Sequence, residues 1–145
     1  MIRDIIKTDK EQVLELAELF YHERLERAGV MFDYNNAAVH FDLLIKTPGL
    51  LALCAEENGE IVGMIAGTAS AIIFAKELAM QEMVWYVKPE CRKSGLNLLK
   101  EFEKRARAMG YERVMMVGMA GDPVLDIYPR FGYVETQRVF MKRLD

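Results

Sequence analysis

Residues 83–110 read MVWYVKPECRKSGLNLLKEFEKRARAMG, and the rest of the chain is organised around them. Met83, Val84, Trp85, Tyr86 and Val87 are an apolar run that suits a strand. Lys88-Pro89 breaks it, since proline has no N–H to give to a ladder. A short basic turn follows, and a long helix is predicted to begin near Ser94 or Gly95. The first turn of a helix leaves N–H groups without intrahelical partners and carries the positive end of the dipole. Arg92 and Lys93 add full charges there, and Gly95 lets the backbone come close to a ligand. Strand, basic glycine-containing turn and helix N-terminus together make a seat for phosphate. The same residues also fit a plain strand–turn–helix with a solvated basic turn, so context has to decide.

Length and charge narrow that context. The 145 residues suit one domain, expected to span 1–145, with enough chain to bury a core. No apolar run approaches the roughly 18 residues of a membrane span. The opening MIRDIIKTDK lacks the apolar stretch of a signal peptide. Cys54 and Cys91 show no paired spacing, and His22 and His40 are the only histidines, so neither a disulfide framework nor a zinc site is indicated. The expectation is a cytoplasmic protein with no metal and no membrane attachment. Net charge is −3, but residues 1–87 carry seven Lys/Arg against fourteen Asp/Glu, while residues 88–113 carry eight against four. The basic block coincides with the phosphate turn and suits a polyanionic ligand. It is too short, and too mixed with Glu101, Glu103 and Glu112, to argue for nucleic acid.

Outward from the central stretch, residues 2–6 read as a first strand and Thr8 with Glu11 as a capping box opening a helix that ends near Gly29. A second helix is predicted over 37–46, closed by Thr47-Pro48-Gly49. Apolar runs at 50–55 and 61–68 flank Asn58-Gly59, a strong hairpin signal. Residues 69–78 read as loop, 111–117 as a strand, and Asp122-Pro123 as the start of a short helix ended by Gly132. Residues 133–144, with alternating Val134, Thr136, Arg138 and Phe140, read as a final strand. A meander of strands with helices before and after it implies an α+β (mixed α/β) fold, a mostly antiparallel sheet with helices on both faces.

The turn, written out, is Val87-x-Pro89-x-x-Arg92-x-x-Gly95-x-Asn97. It resembles the acyl-coenzyme A pyrophosphate loop of the GCN5-related N-acetyltransferases (GNAT), V-x-P-x-x-[QR]-x-x-G-x-[GA], at four of five marked positions. Asn97 departs from the pattern. The order of elements resembles the same family across nearly the whole chain. Near the C-terminus, Ile127-Tyr128-Pro129-Arg130-Phe131-Gly132-Tyr133 resembles the family's closing F-Y-x-x-x-G-F at Tyr128, Gly132 and Tyr133.

The resemblance implies a GNAT-like fold and transfer of acetyl from acetyl-CoA to a primary amine, by direct attack through a tetrahedral intermediate. Coenzyme A pyrophosphate would lie on Arg92, Lys93, Ser94, Gly95, Leu96 and Asn97, and the pantetheine arm along the main chain of Trp85, Tyr86 and Val87. Tyr128 would protonate the departing thiolate, and Glu82 would take the proton of the amine. Simple alternation puts Glu82 on the face of Val84 and Tyr86, opposite Trp85 and Val87; the family has a bulge here, which would break that alternation and free N–H groups, one of which could polarise the thioester carbonyl. Gly121 stands where the family often has an asparagine touching the pantetheine. The acceptor, a small molecule or a protein amine, would meet residues 32–34 and 69–78. Family members are often dimers. Glu82 also fits a solvated strand carboxylate and Tyr128 a packing residue. Asn97 and Gly121 suit an alternative in which a GNAT-fold module binds or assembles without catalysis.

Overall fold

Asn58 and Gly59 adopt φ of 51° and 79° and reverse the chain in two residues. They join β2 (Leu51–Glu57) to β3 (Glu60–Ala71), which in turn pairs with β4 (Leu78–Val87). With β1 (Ile2–Asp4) and β5 (Arg113–Met115) these form one sheet in the order β1-β2-β3-β4-β5. Neighbours run antiparallel except β4 and β5, which are parallel. The computed structural model describes residues 1–144.

Helices cover both faces, as the meander implies. On one face α1 (Lys10–Arg24) and α2 (Tyr34–Lys46) bury Val13, Leu16 and Phe41 against Cys54, Ile61, Met64 and Tyr86. On the other, α3 (Ser94–Ala108) buries Leu98, Leu99 and Phe102 against Leu53, Ile65, Met80 and Val87. Spacings of one, three and four along α3 put that apolar stripe on a single side. Phe102 is fully buried, so truncation to alanine would cost about 3–5 kcal/mol. A short helix, α4 (Val124–Ile127), follows Asp122, whose Oδ1 accepts the Val124 N–H at 3.0 Å.

Several boundaries differ from expectation. Thr8 does not cap α1. Asp9 is drawn inward instead, because Arg3 grips both its carboxylate oxygens (2.8 and 3.0 Å) and the Ile6 N–H donates to it at 2.8 Å. The second helix starts at Tyr34 rather than residue 37, since Asp33 Oδ1 accepts the Asn36 N–H at 2.8 Å. β3 runs on through Ala71 and β4 begins at Leu78, leaving only 72–77 as loop. The strand expected over 111–117 contracts to three residues, and residues 133–144 form no strand of the sheet.

Candidate active site

A bulge in β4 builds the site. Its register with β3 runs Ala66 to Val84 and then Gly67 to Glu82, so Met83 is an extra residue. The extra residue inverts the alternation. Met80 lies on the α3 face before it, Trp85 and Val87 lie there after it, and Val84 and Tyr86 face α1 and α2. Glu82, two residues from Met80, therefore sits with Trp85 and not with Val84 and Tyr86. Gly67, paired with Glu82, has no room for a side chain: a Cβ would lie 2.7 Å from both the Gln81 carbonyl oxygen and Phe102 Cζ.

Just past the Glu82 position the sheet opens. β5 pairs with β4 only from Ala79 to Gln81, so from Glu82 to Val87 the edge of β4 away from β3 has no strand partner. That free edge is about 17 Å long at the usual rise of a strand. At its head, Glu82 does what a ladder would have done: its Oε2 accepts the Val117 N–H at 2.9 Å. Glu82 is 6% exposed, and burial pushes its carboxyl up to about 7 against the pull of that N–H, the charge of Asp122 adding to the rise. The carbonyl of the same Val117 accepts the Tyr128 hydroxyl at 2.8 Å. The expected base and acid are thus joined through one residue. Burial, then the charges of Glu82 and Asp122, hold the Tyr128 hydroxyl well above the ordinary phenol range, so it stays protonated. Its ring leans on Trp85 and Tyr133, with centroids 6.2 and 5.5 Å away.

At the foot of the free edge lies the basic turn. α3 has no side-chain cap and no acidic residue in its first turn; the Gly95 N–H turns back to the Arg92 carbonyl at 3.1 Å, and no side chain caps the N–H groups beside it, which suits an anion. Lys93, Leu96 and Asn97 are exposed there, while Gly95 is buried against Trp85 and Val87. Ser94 Oγ donates to Glu57 at 2.8 Å. Arg92 reaches back to α1, where Glu23 accepts from it at 3.0 Å, and its guanidinium lies 5.4 Å over the Tyr86 ring. The Tyr86 hydroxyl donates to the same carboxylate at 3.0 Å. Trp85 Nε1, beside the turn, is a buried donor with no partner among the described residues. Such a group costs about 1–3 kcal/mol unless something satisfies it. Cys91, in the same turn, is no activated thiol: partial burial and the carboxylates of Glu57 and Glu90 raise its pKa.

The end of α1 braces the opposite wall. Arg24 pairs with Asp122 at 3.0 Å, and Arg27 donates to the Ala120 carbonyl at 2.7 Å. Of the segments expected to meet an acceptor, Phe32 packs on Tyr21 at 5.5 Å beside a cleft of about 400 Å³, whereas Ile73 and Phe74 are 87% and 99% exposed. Met83 projects from the bulge into a second cleft of about 250 Å³ below α2, with His40, Leu43 and Thr68.

Sequence reasoning missed Val117, Glu23 and Gly67. Val117 acts through its backbone, which leaves no mark on residue type. Glu23 lies between Phe20 and Arg24 on the sheet-facing stripe of α1, and that placement was the available signal. Among the described residues no group of three or more His, Cys, Asp or Glu could hold a metal ion, and no helix is long and apolar enough to cross a membrane.

Comparison with known proteins fits this architecture. No curated protein matches the sequence. Among solved structures, a transcriptional regulator from Bacillus halodurans C-125 superposes with a TM-score of 0.81 at 17% identity, over 99% of each chain. The aminoglycoside N-acetyltransferase AAC(6')-Iy, solved with the bisubstrate analog CoA-S-monomethyl-acetylneamine, superposes with a TM-score of 0.80 at 14% identity, over 100% of this chain and 97% of that one. A ribosomal-protein-alanine N-acetyltransferase from Brucella melitensis biovar Abortus 2308 gives 0.75 at 17% identity, over 100% and 99%. Such low identities speak to the fold alone. The sequence itself matches the acetyltransferase (GNAT) family over residues 10–133, and the chain belongs to that family.

Proposed function

We propose that this chain is an acetyl-CoA-dependent N-acetyltransferase, one catalytic domain that acts in the cytoplasm on a primary amine. The observation that carries this reading is the free edge of β4. It runs from a buried carboxylate wired to a buried phenol, Glu82–Val117–Tyr128, to the uncapped N-terminus of α3. One end suits proton traffic and the other suits phosphate.

The residues fit coenzyme A. The open N–H groups of α3, with Lys93, Ser94, Gly95, Leu96 and Asn97, would take the pyrophosphate, and Arg92 would add its charge after leaving Glu23. Trp85, Tyr86 and Val87 would present unpaired main-chain groups to the arm. The donor supplies its acetyl group as a thioester, already activated. In the transfer a C–N bond forms and a C–S bond breaks, the amine gives up a proton and the thiolate accepts one. Glu82, titrating near neutrality, is placed to take the first proton through the opening of the sheet. Tyr128, held protonated, is placed to give the second once its hydroxyl turns from the Val117 carbonyl.

A second reading keeps the fold for binding alone. It draws on the Glu23–Arg92 pair, which occupies the turn's main cation, and on Asn97 and Gly121. Thiol release from acetyl-CoA, measured across a panel of primary amines with mass spectrometry of the products, separates the two. Amine-dependent release with an N-acetylated product supports the enzyme. Acetyl-CoA binding without release under any amine favours the module.

A further inference from the structure

Trp85 is the only tryptophan of the chain, and it stands on the free half of β4 between two parts of the proposed site. Its ring leans on Tyr128 and also lies against Gly95, in the first turn of α3. The bulge at Met83 puts it there; under plain alternation the indole would face α1 and α2. The residue as a whole is half-buried, but its Nε1 is closed off from solvent. Among the described residues it is the one buried side-chain nitrogen or oxygen without a hydrogen-bond partner. Native proteins rarely keep such a donor without a use.

Gly95 supplies a matching space. A Cβ built on it would lie 3.6 Å from Val87 Cγ2, 3.7 Å from Trp85 Cζ2 and 4.0 Å from Trp85 Nε1, with nothing nearer outside the helix's own backbone. Room for one heavy atom therefore lies beside the orphan N–H, between apolar walls. A buried water takes about three hydrogen bonds, and this place offers one side-chain partner. An oxygen that belongs to a larger ligand, held at the same time by the uncapped end of α3, needs only that one.

Resting on the reading of the β4 edge as an acetyl-CoA site, we propose that the Trp85 indole N–H donates to an oxygen of the coenzyme where it passes the first turn of α3. The indole is then a side-chain donor added to the main-chain groups of Trp85, Tyr86 and Val87. A pyrophosphate oxygen and an amide carbonyl of the arm share the chemistry of a hydrogen-bond acceptor. Gly95 serves the bond by leaving the place of that oxygen empty.

With a single tryptophan, the test begins on the natural chain. The isotope-labelled full chain gives one indole N–H signal by NMR, followed as acetyl-CoA is added while calorimetry records binding. The proposal expects the signal to move downfield at saturation, as it does when an indole N–H gains an oxygen acceptor. Two fragments identify the oxygen. The phosphorylated ADP half of the coenzyme reproduces the shift if a phosphate accepts, and S-acetylpantetheine reproduces it if an amide does. Trp85→Phe keeps a ring against Tyr128 and removes the donor, and should weaken acetyl-CoA binding about 10-fold in a chain that circular dichroism shows folded. Acetyl-CoA that binds and leaves the indole signal in place, or a folded Trp85→Phe chain that binds as tightly as the natural one, would overturn this proposal and leave the site reading standing. No binding at all would overturn both.

Discussion

The two ends of the β4 edge handle charge in opposite ways. At the head, one carboxylate is 6% exposed and is met by a single backbone N–H, with no cation beside it. At the foot, Arg92 and Lys93 stand in water, and Arg92 is already matched by Glu23. Desolvation without a counter-charge makes Glu82 titrate near neutrality, whereas the turn's cations stand in solvent, one of them beside a carboxylate. The proposed sites for proton transfer and for phosphate thus share one strand edge and differ in burial.

The sharpest way to break this contrast is to remove the proton-handling groups. Tyr128→Phe should lower turnover about 10²–10⁴-fold while acetyl-CoA affinity, measured by calorimetry, stays within a few-fold. Unchanged turnover would take Tyr128 out of the mechanism. Glu82→Gln should lose turnover on the same scale and yet gain stability. The folded-state pKa of Glu82 is raised, so its contribution to stability is fully present below 4.5 and is lost as pH rises to about 7. That shift corresponds to about 3 kcal/mol. Glutamine can keep the acceptor for Val117 without the charge, and should raise the melting temperature at pH 8 by about 5–10 °C. No gain, or a loss, would mean that burial does not strain the carboxylate.

Smaller effects test the frame and the foot. Gly67→Ala would force a Cβ against the Gln81 carbonyl and Phe102, and should cost about 1–3 kcal/mol in denaturant unfolding. Arg92→Glu should weaken acetyl-CoA binding about 10–100-fold, the worth of one charged hydrogen bond. An unaltered dissociation constant would remove Arg92 from the phosphate seat. Glu23→Gln should be the mildest, tightening binding a few-fold by releasing Arg92 and changing stability by less than about 1 kcal/mol.

How much of this was legible follows the range of the interactions. The turn at Asn58-Gly59, the start of α3 at Ser94 and the sheet with helices on both faces rest on local signals, and the chain wears them openly; the first helix, expected to run to Gly29, ends instead at Arg24, and Gly29 closes a separate short turn over Glu26–Ala28. Glu82 and Tyr128 were visible as residue types. Their connection through Val117 was not, because a main-chain link between positions 35 and 11 residues apart has no side chain to announce it. The resemblance pointed to a bulge; that Met83 is the extra residue depends on the Gly67 register with β3, which no pattern within β4 encodes. Residues 133–144 have a strand's alternation, but a strand needs an edge to pair with, and pattern alone does not say where that edge lies.

The central claim is that Glu82, buried and near-neutral in its titration, takes the proton of the amine. Its most direct test is the pH dependence of acetyl-CoA thiol release at saturating amine, for the natural chain and for Glu82→Gln. The account predicts an ascending limb with an apparent pKa near 7 in the natural chain and its disappearance in the variant. The same limb in Glu82→Gln, or none in the natural chain, would contradict it.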